Sequence, residues 1–186
     1  HGYVGVDEFF ADLRMIARSL RDNQGQLAGL FAMRRLLRRV ETFGFHLATL
    51  DVRQDALVHR RVIGQALGEP GWLDMSAHER TERLVRALKE PKPDFSADDE
   101  ARDTLEVFRT IGQSQALYGP NAIGPFIVSM TQGADDVLSV LVLAQWAGLT
   151  DEDNHIALDV APLLETVDDL ENGPAIMETL LADQSY

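Results

Sequence analysis

Apolar residues recur at helical spacing from the start of the chain. Phe10, Leu13, Ile16, Ala17 and Leu20 share one stripe behind Asp7, which is placed to cap it. After a break at Asn23 to Gly25, a second stripe of Leu27, Leu30, Phe31, Leu37 and Val40 runs to Gly44, a residue suited to a left-handed C-cap. The period then changes. Residues 45–52, FHLATLDV, are short and densely apolar, which predicts a buried strand ending at Asp51, Arg53 and Gln54.

Three more helices follow in the pattern. One spans Asp55 to Leu67; one starts at Ser76-Ala-His-Glu79, which has capping-box spacing; one covers about Asp98 to Tyr118, beyond the polar, proline-broken stretch from Lys89 to Glu100. Pro125 to Met130 reads as a second strand. Residues 135–147 are apolar on nearly every side, the mark of a helix buried all round. His155 to Ala161 supplies a third strand, and in the tail Asn172-Gly-Pro174 predicts a helix restart. Strands separated by helices imply parallel pairing with right-handed crossovers, so the chain is α/β, mostly helical by content.

Each strand carries reactive side chains at its C-terminal end: Asp51, Arg53 and Gln54, then Ser129 and Thr131, then Glu165 and Thr166. In parallel α/β sheets and barrels that rim is where ligands bind. A rim arginine can fork onto a phosphate or carboxylate, and a glutamate offers hard oxygen to Mg²⁺ or Mn²⁺. The same residues admit a structural role, with Arg53 paired to Asp51 or Asp55 and Glu165 favoured by a helix N-terminus. His46, inside the first strand run, reads as an interior imidazole, and the remaining histidines as surface or packing residues. Arg34, Arg35, Arg38 and Arg39 read as a solvated helix face.

Composition narrows the classes. Seventeen basic against thirty acidic residues give a net charge of −13, which disfavours nucleic acid and anionic lipid; 45% hydrophobic residues can build a core. With no cysteine there is no disulfide or thiolate site, which fits a cytoplasmic protein, and no stretch is apolar enough to cross a bilayer. No HExxH, GxGxxG, GxxxxGK[ST] or GxSxG motif occurs. The chain opens on His1-Gly2 and closes on LLADQSY, and so reads as an excised piece.

Three long stretches, VETFGFHLATLDVRQD, FIVSMTQGADDVLSVLVLAQWAGL and VAPLLETVDDLENGPAIMETLL, stand in the order and spacing of the phosphoenolpyruvate carboxylases. The chain resembles the middle of that family over nearly its whole length. The resemblance implies an enzyme adding bicarbonate to phosphoenolpyruvate, giving oxaloacetate and phosphate with Mg²⁺ or Mn²⁺, on a helix-rich TIM-type (β/α)8 barrel. It implies that Arg53 is catalytic and lies at the substrate phosphate, that Arg53 and Gln54 bind the substrate, and that Glu165 is a metal ligand. Residues 1–186 then form a single partial domain, with leading helices over 1–44 and strand–helix units over 45–186; the full-length protein is expected to be a homotetramer.

The resemblance also marks what is missing: the family's upstream histidine, its second acidic metal ligand with a nearby lysine, and its mobile arginine- and glycine-rich loop. Three strands cannot close an eight-stranded barrel, so the isolated chain is expected not to turn over substrate. Departures inside the motifs, such as Asp55-Ala56 for a usual Glu-Ser pair, remove no charged group assigned to catalysis. The competing reading is a non-catalytic helical interaction module on the same scaffold; another metal-dependent barrel lyase is a third. Convergence of Arg53 and Glu165, through strands running side by side in the same sense, separates the first two.

Overall fold

The computed structural model describes residues 2–94, 99–151, 155–184 and 186. Within them the elements run α1 (Val6–Asp22), α2 (Leu30–Phe43), β1 (Leu50–Asp55), α3 (Ala56–Ala66), α4 (Ala77–Ala87), α5 (Asp99–Tyr118), β2 (Ile123–Ser129), α6 (Ala134–Ala147), β3 (Val160–Pro162) and α7 (Val167–Ala182). Helices dominate, and the strands form one small parallel sheet in the order β1-β2-β3. The chain divides into two compact units, His1–Leu50 with Gln113–Ile123 and Asp51–Gly112 with Gly124–Tyr186.

In the first unit α1 and α2 pack together, burying Leu13 and Ala17 of one and Leu30 and Val40 of the other. The expected N-cap at Asp7 is displaced: α1 begins at Val6 with Gly5 as cap residue, and Asp7 and Glu8 are the acidic residues of its first turn. Arg34, Arg35, Arg38 and Arg39 are exposed on α2.

The predicted strand over 45–52 is a larger correction. Residues 44–49 turn: Gly44 and Leu47 have positive φ, and the Ala48 amide bonds back to the His46 carbonyl. Phe45 is spent on an aromatic contact with Phe9 of α1, 5.8 Å between ring centroids. His46 is half-buried in this turn and is not an interior residue. The strand forms at the polar end instead. In LDVRQD the alternating residues Val52 and Gln54 are half-buried while Asp51, Arg53 and Asp55 are exposed, the period-two pattern of a sheet covered on one face. Asp51 is consequently the second residue of β1, not a rim residue.

The second unit is built around α6, which packs on α3, α4, β3 and α7. Every residue from Ala134 to Ala144 is buried, as its all-round apolar sequence requires. Phe126 of β2 stacks on Phe108 of α5 with centroids 5.0 Å apart and rings 11° from parallel. The register Phe126↔Val160, Ile127↔Ala161, Val128↔Pro162 sets β2 beside β3, and the Leu163 amide extends the ladder to the Val128 carbonyl.

Other boundaries follow local chemistry. Asp55 caps α3 by accepting from the Leu57 amide at 2.7 Å, and Ser76 and Glu79 close the capping box of α4. The restart expected at Asn172-Gly-Pro174 does not occur: α7 runs through Pro174. The carbonyl that loses its donor belongs to Leu170, an exposed residue, where water can take over, and buried Gly173 gives the turn its close approach to the Leu164 side chain. The third strand is three residues long, shorter than the seven expected. Asp98, the expected start of α5, and part of the Lys89–Glu100 connection lie outside the described residues.

Candidate functional site

Arg53 sits near the C-terminal end of β1, and Glu165 three residues beyond β3. Their strands are next-but-one neighbours with β2 between them, so two strand spacings, about 10 Å of sheet, separate the backbones. An extended arginine and a glutamate can span that gap, and they do: Arg53 Nη2 donates to Glu165 Oε1 across 112 positions of sequence. The pair is open to water, with the arginine side chain 56% and the glutamate 28% exposed. Neither Asp51 nor Asp55 is the ion-pair partner of Arg53, which removes the local pairing that sequence had left open.

Glu165 is held in place from downstream. Thr166 caps α7, its hydroxyl accepting from the Asp169 amide at 3.1 Å while Asp169 Oδ2 accepts from the Thr166 amide at 3.0 Å. The same hydroxyl and amide hold the Asp169 carboxyl below its usual range. Thr166 is therefore occupied as a cap, and its predecessor projects from a fixed helix start.

The other rim residues face inward. Gln54 lies on the face of β1 opposite Arg53, and its Oε1 stands 3.0 Å from Nε2 of buried His59. Ser129 donates its hydroxyl to the Gln54 main-chain carbonyl at 3.2 Å, and buried Thr131 donates to the Val128 carbonyl at 2.7 Å. Both hydroxyls stitch the ends of strands. Met130 between them has φ 57°, a left-handed conformation that a long side chain rarely takes, so the chain turns sharply as it leaves β2.

Sequence reasoning missed the buried polar cluster behind this rim. Asp136 accepts a bidentate fork from Arg60, at 2.8 and 2.7 Å, and also the Gln132 and Gly133 amides. Asp135 accepts from Arg80 Nε at 2.6 Å, while Arg80 Nη1 bonds the Met75 carbonyl. Both aspartates are fully buried, and Asp135 Oδ1 has no partner among the described residues. Burial, then the neighbouring charge of Asp136, push the Asp135 carboxyl above its ordinary range. The available signal was the pair of adjacent acids after a glycine at a helix start, with two arginines at helical positions elsewhere; nothing in the sequence matched them.

Among the described residues no group of three or more histidine, aspartate and glutamate side chains is placed to hold a metal. One hard carboxylate at an exposed rim still fits Mg²⁺ or Mn²⁺, which take few protein ligands and keep waters and substrate oxygens. A cleft of about 460 Å³ lies elsewhere, lined by residues including Arg60, Gly64, Glu69 and Trp72 but neither Arg53 nor Glu165.

A family profile described as phosphoenolpyruvate carboxylase matches residues 1–186. The phosphoenolpyruvate carboxylase of Xanthomonas euvesicatoria pv. vesicatoria is 44% identical over 99% of this chain and 20% of its own length. That of Xanthomonas campestris pv. campestris strain 8004 is 42% identical over the same shares, and that of Rhodopseudomonas palustris strain BisA53 is 38% identical over 99% and 21%. The chain spans about a fifth of the length of these relatives.

Proposed function

The chain belongs to the phosphoenolpyruvate carboxylase family, and from that premise we propose that it supplies part of the substrate site of an enzyme joining bicarbonate to phosphoenolpyruvate. The observation that carries the proposal is the meeting of Arg53 and Glu165 at one rim. They stand on one side of the sheet, which favours the enzyme over a binding module that kept the scaffold and lost the chemistry.

In this reading a bicarbonate oxygen attacks the phosphorus and the enolate of pyruvate leaves, giving carboxyphosphate. Carboxyphosphate breaks its C–O bond to release carbon dioxide and phosphate, and the enolate carbon captures the carbon dioxide to give oxaloacetate. Arg53 leaves Glu165 and forks onto the phosphate oxygens, where its fixed positive charge is worth most as negative charge builds toward the transition state. Glu165 is then free to hold Mg²⁺ or Mn²⁺. The bound cation supplies Lewis-acid polarisation of phosphoryl and enolate oxygens. Gln54, on the other face of β1, acts behind the site.

The three strands form part of an eight-stranded TIM-type barrel, with the face carrying Arg53 toward the lumen; half-buried Val52 and buried Phe126 and Val128, all on the helix-covered face, support this orientation. The full-length protein is read as a cytoplasmic homotetramer. The test is carboxylation by the full-length protein with bicarbonate, phosphoenolpyruvate and Mg²⁺, followed as oxaloacetate. Arg53→Gln should lose about 10²- to 10³-fold in kcat/KM, the scale of removing one preorganised charge-stabilising donor. The 186-residue chain alone should show no turnover. An unimpaired Arg53→Gln enzyme would overturn the assignment.

A further inference from the structure

His59 is the fully buried histidine among the described residues, on α3 directly behind β1. Its Nε2 faces Gln54 Oε1 at 3.0 Å, its ring lies 5.6 Å from that of Phe126, and its Nδ1 has no partner among the described residues. An amide oxygen only accepts, so Nε2 carries the proton and Nδ1 the bare lone pair. Burial lowers the His59 pKa to about 4 against the opposing charges of Asp136 and Asp55, which keeps the ring neutral.

Gln54 is thus tied twice: by its side chain to α3, and by its main-chain carbonyl to the Ser129 hydroxyl at the end of β2. Arg53 is the preceding residue. The direction of a strand side chain is set by the peptide planes on either side of it, so whatever fixes Gln54 also fixes the root of the Arg53 side chain on the opposite face.

We propose that His59 is a positioning residue for Arg53: by donating from Nε2 to the Gln54 side-chain oxygen it locks the end of β1, and so aims the guanidinium at a phosphorylated substrate. This rests on the reading of Arg53 as the phosphate clamp. His59 itself touches no substrate. Its contribution is alignment, and alignment errors of an ångström are costly in an anion site.

The experiment uses the full-length enzyme and three variants. His59→Met fills the space without a donor, His59→Gln returns an N–H near the Nε2 position, and Arg53→Gln serves as reference. His59→Met should raise the KM for phosphoenolpyruvate about tenfold, and His59→Gln should bring it back to within about threefold of wild type. A merely structural lesion lowers the amount of active enzyme, hence apparent kcat, and leaves KM alone. The proposal is overturned if His59→Met has a wild-type KM, or if His59→Gln is as impaired as His59→Met. If Arg53→Gln leaves kcat/KM unchanged, the site reading fails first; if Arg53→Gln lowers kcat/KM and His59→Met keeps a wild-type KM, only the positioning role fails. Should His59→Met not fold, Gln54→Met removes the other half of the same bond, and a wild-type KM there overturns the proposal.

Discussion

Two arginine–carboxylate arrangements in the second unit are built from the same groups and stand in opposite environments. Arg60 and Arg80 meet Asp135 and Asp136 with the acids at 0% and the arginines at 13% and 8% side-chain exposure, whereas Arg53 meets Glu165 in water at 56% and 28%. The buried group is bound into the frame by main-chain partners: the Gln132 and Gly133 amides on Asp136, the Met75 carbonyl on Arg80. Charges so enclosed cannot exchange partners without leaving one another unpaired in a low dielectric, so they hold a single arrangement. The rim pair has solvent on hand to replace either partner, so an incoming anion or cation can divide it at little cost. Burial, and not charge, separates the frame from the candidate site.

The largest expected effect breaks the buried half. Arg80→Leu leaves Asp135 enclosed without its main partner and should cost about 3–5 kcal/mol in urea unfolding, with much of the loss recovered when Asp135→Leu is added. A loss below about 1 kcal/mol would mean that the cluster is wetter than its burial indicates.

Next comes His59. The unfolded chain takes a proton there below about pH 6.5 and the folded chain only below about 4, so stability is flat above this window and falls as pH drops through it, by on the order of 3 kcal/mol. The raised Asp135 carboxyl acts in the opposite direction near the acid end. Urea midpoints of His59→Gln set against wild type therefore isolate the histidine, and the slope between pH 4 and 6.5 should flatten in the variant.

Gly133→Ala sharpens the same region. A Cβ there would collide with the Asp135 side chain and stand 2.9 Å from Ala77 Cβ, an overpacking that should cost about 1–3 kcal/mol and lower Tm. Smallest of all, Arg53→Gln should change stability by less than about 1 kcal/mol in the same unfolding experiment, because the pair is exposed.

How much of this was legible in sequence depended on whether the signal was local. Capping chemistry at Ser76 and Glu79 and the all-round apolar face of α6 are local properties, and the structure follows them. The first strand was misplaced because Phe45 and Leu47 look like interior residues when their partners are unknown. Phe45 packs on Phe9, 36 positions earlier, and the strand uses the charged stretch that follows. Pro174 misled for the opposite reason: its sequence signal is local, yet α7 continues through it, with the carbonyl that loses its amide donor on exposed Leu170. Family motifs singled out Arg53 and Glu165, while the bond of Gln54 to His59 and the fourfold cluster of Arg60, Arg80, Asp135 and Asp136 depend on distant packing that no spacing rule encodes.

One measurement tests the central claim most directly: a crystal structure of the full-length protein with Mn²⁺ and an unreactive phosphoenolpyruvate analogue. The expected result is Arg53 turned away from Glu165, its guanidinium on the phosphate and the glutamate on the metal. Arg53 still paired with Glu165, and the phosphate bound elsewhere, would contradict it.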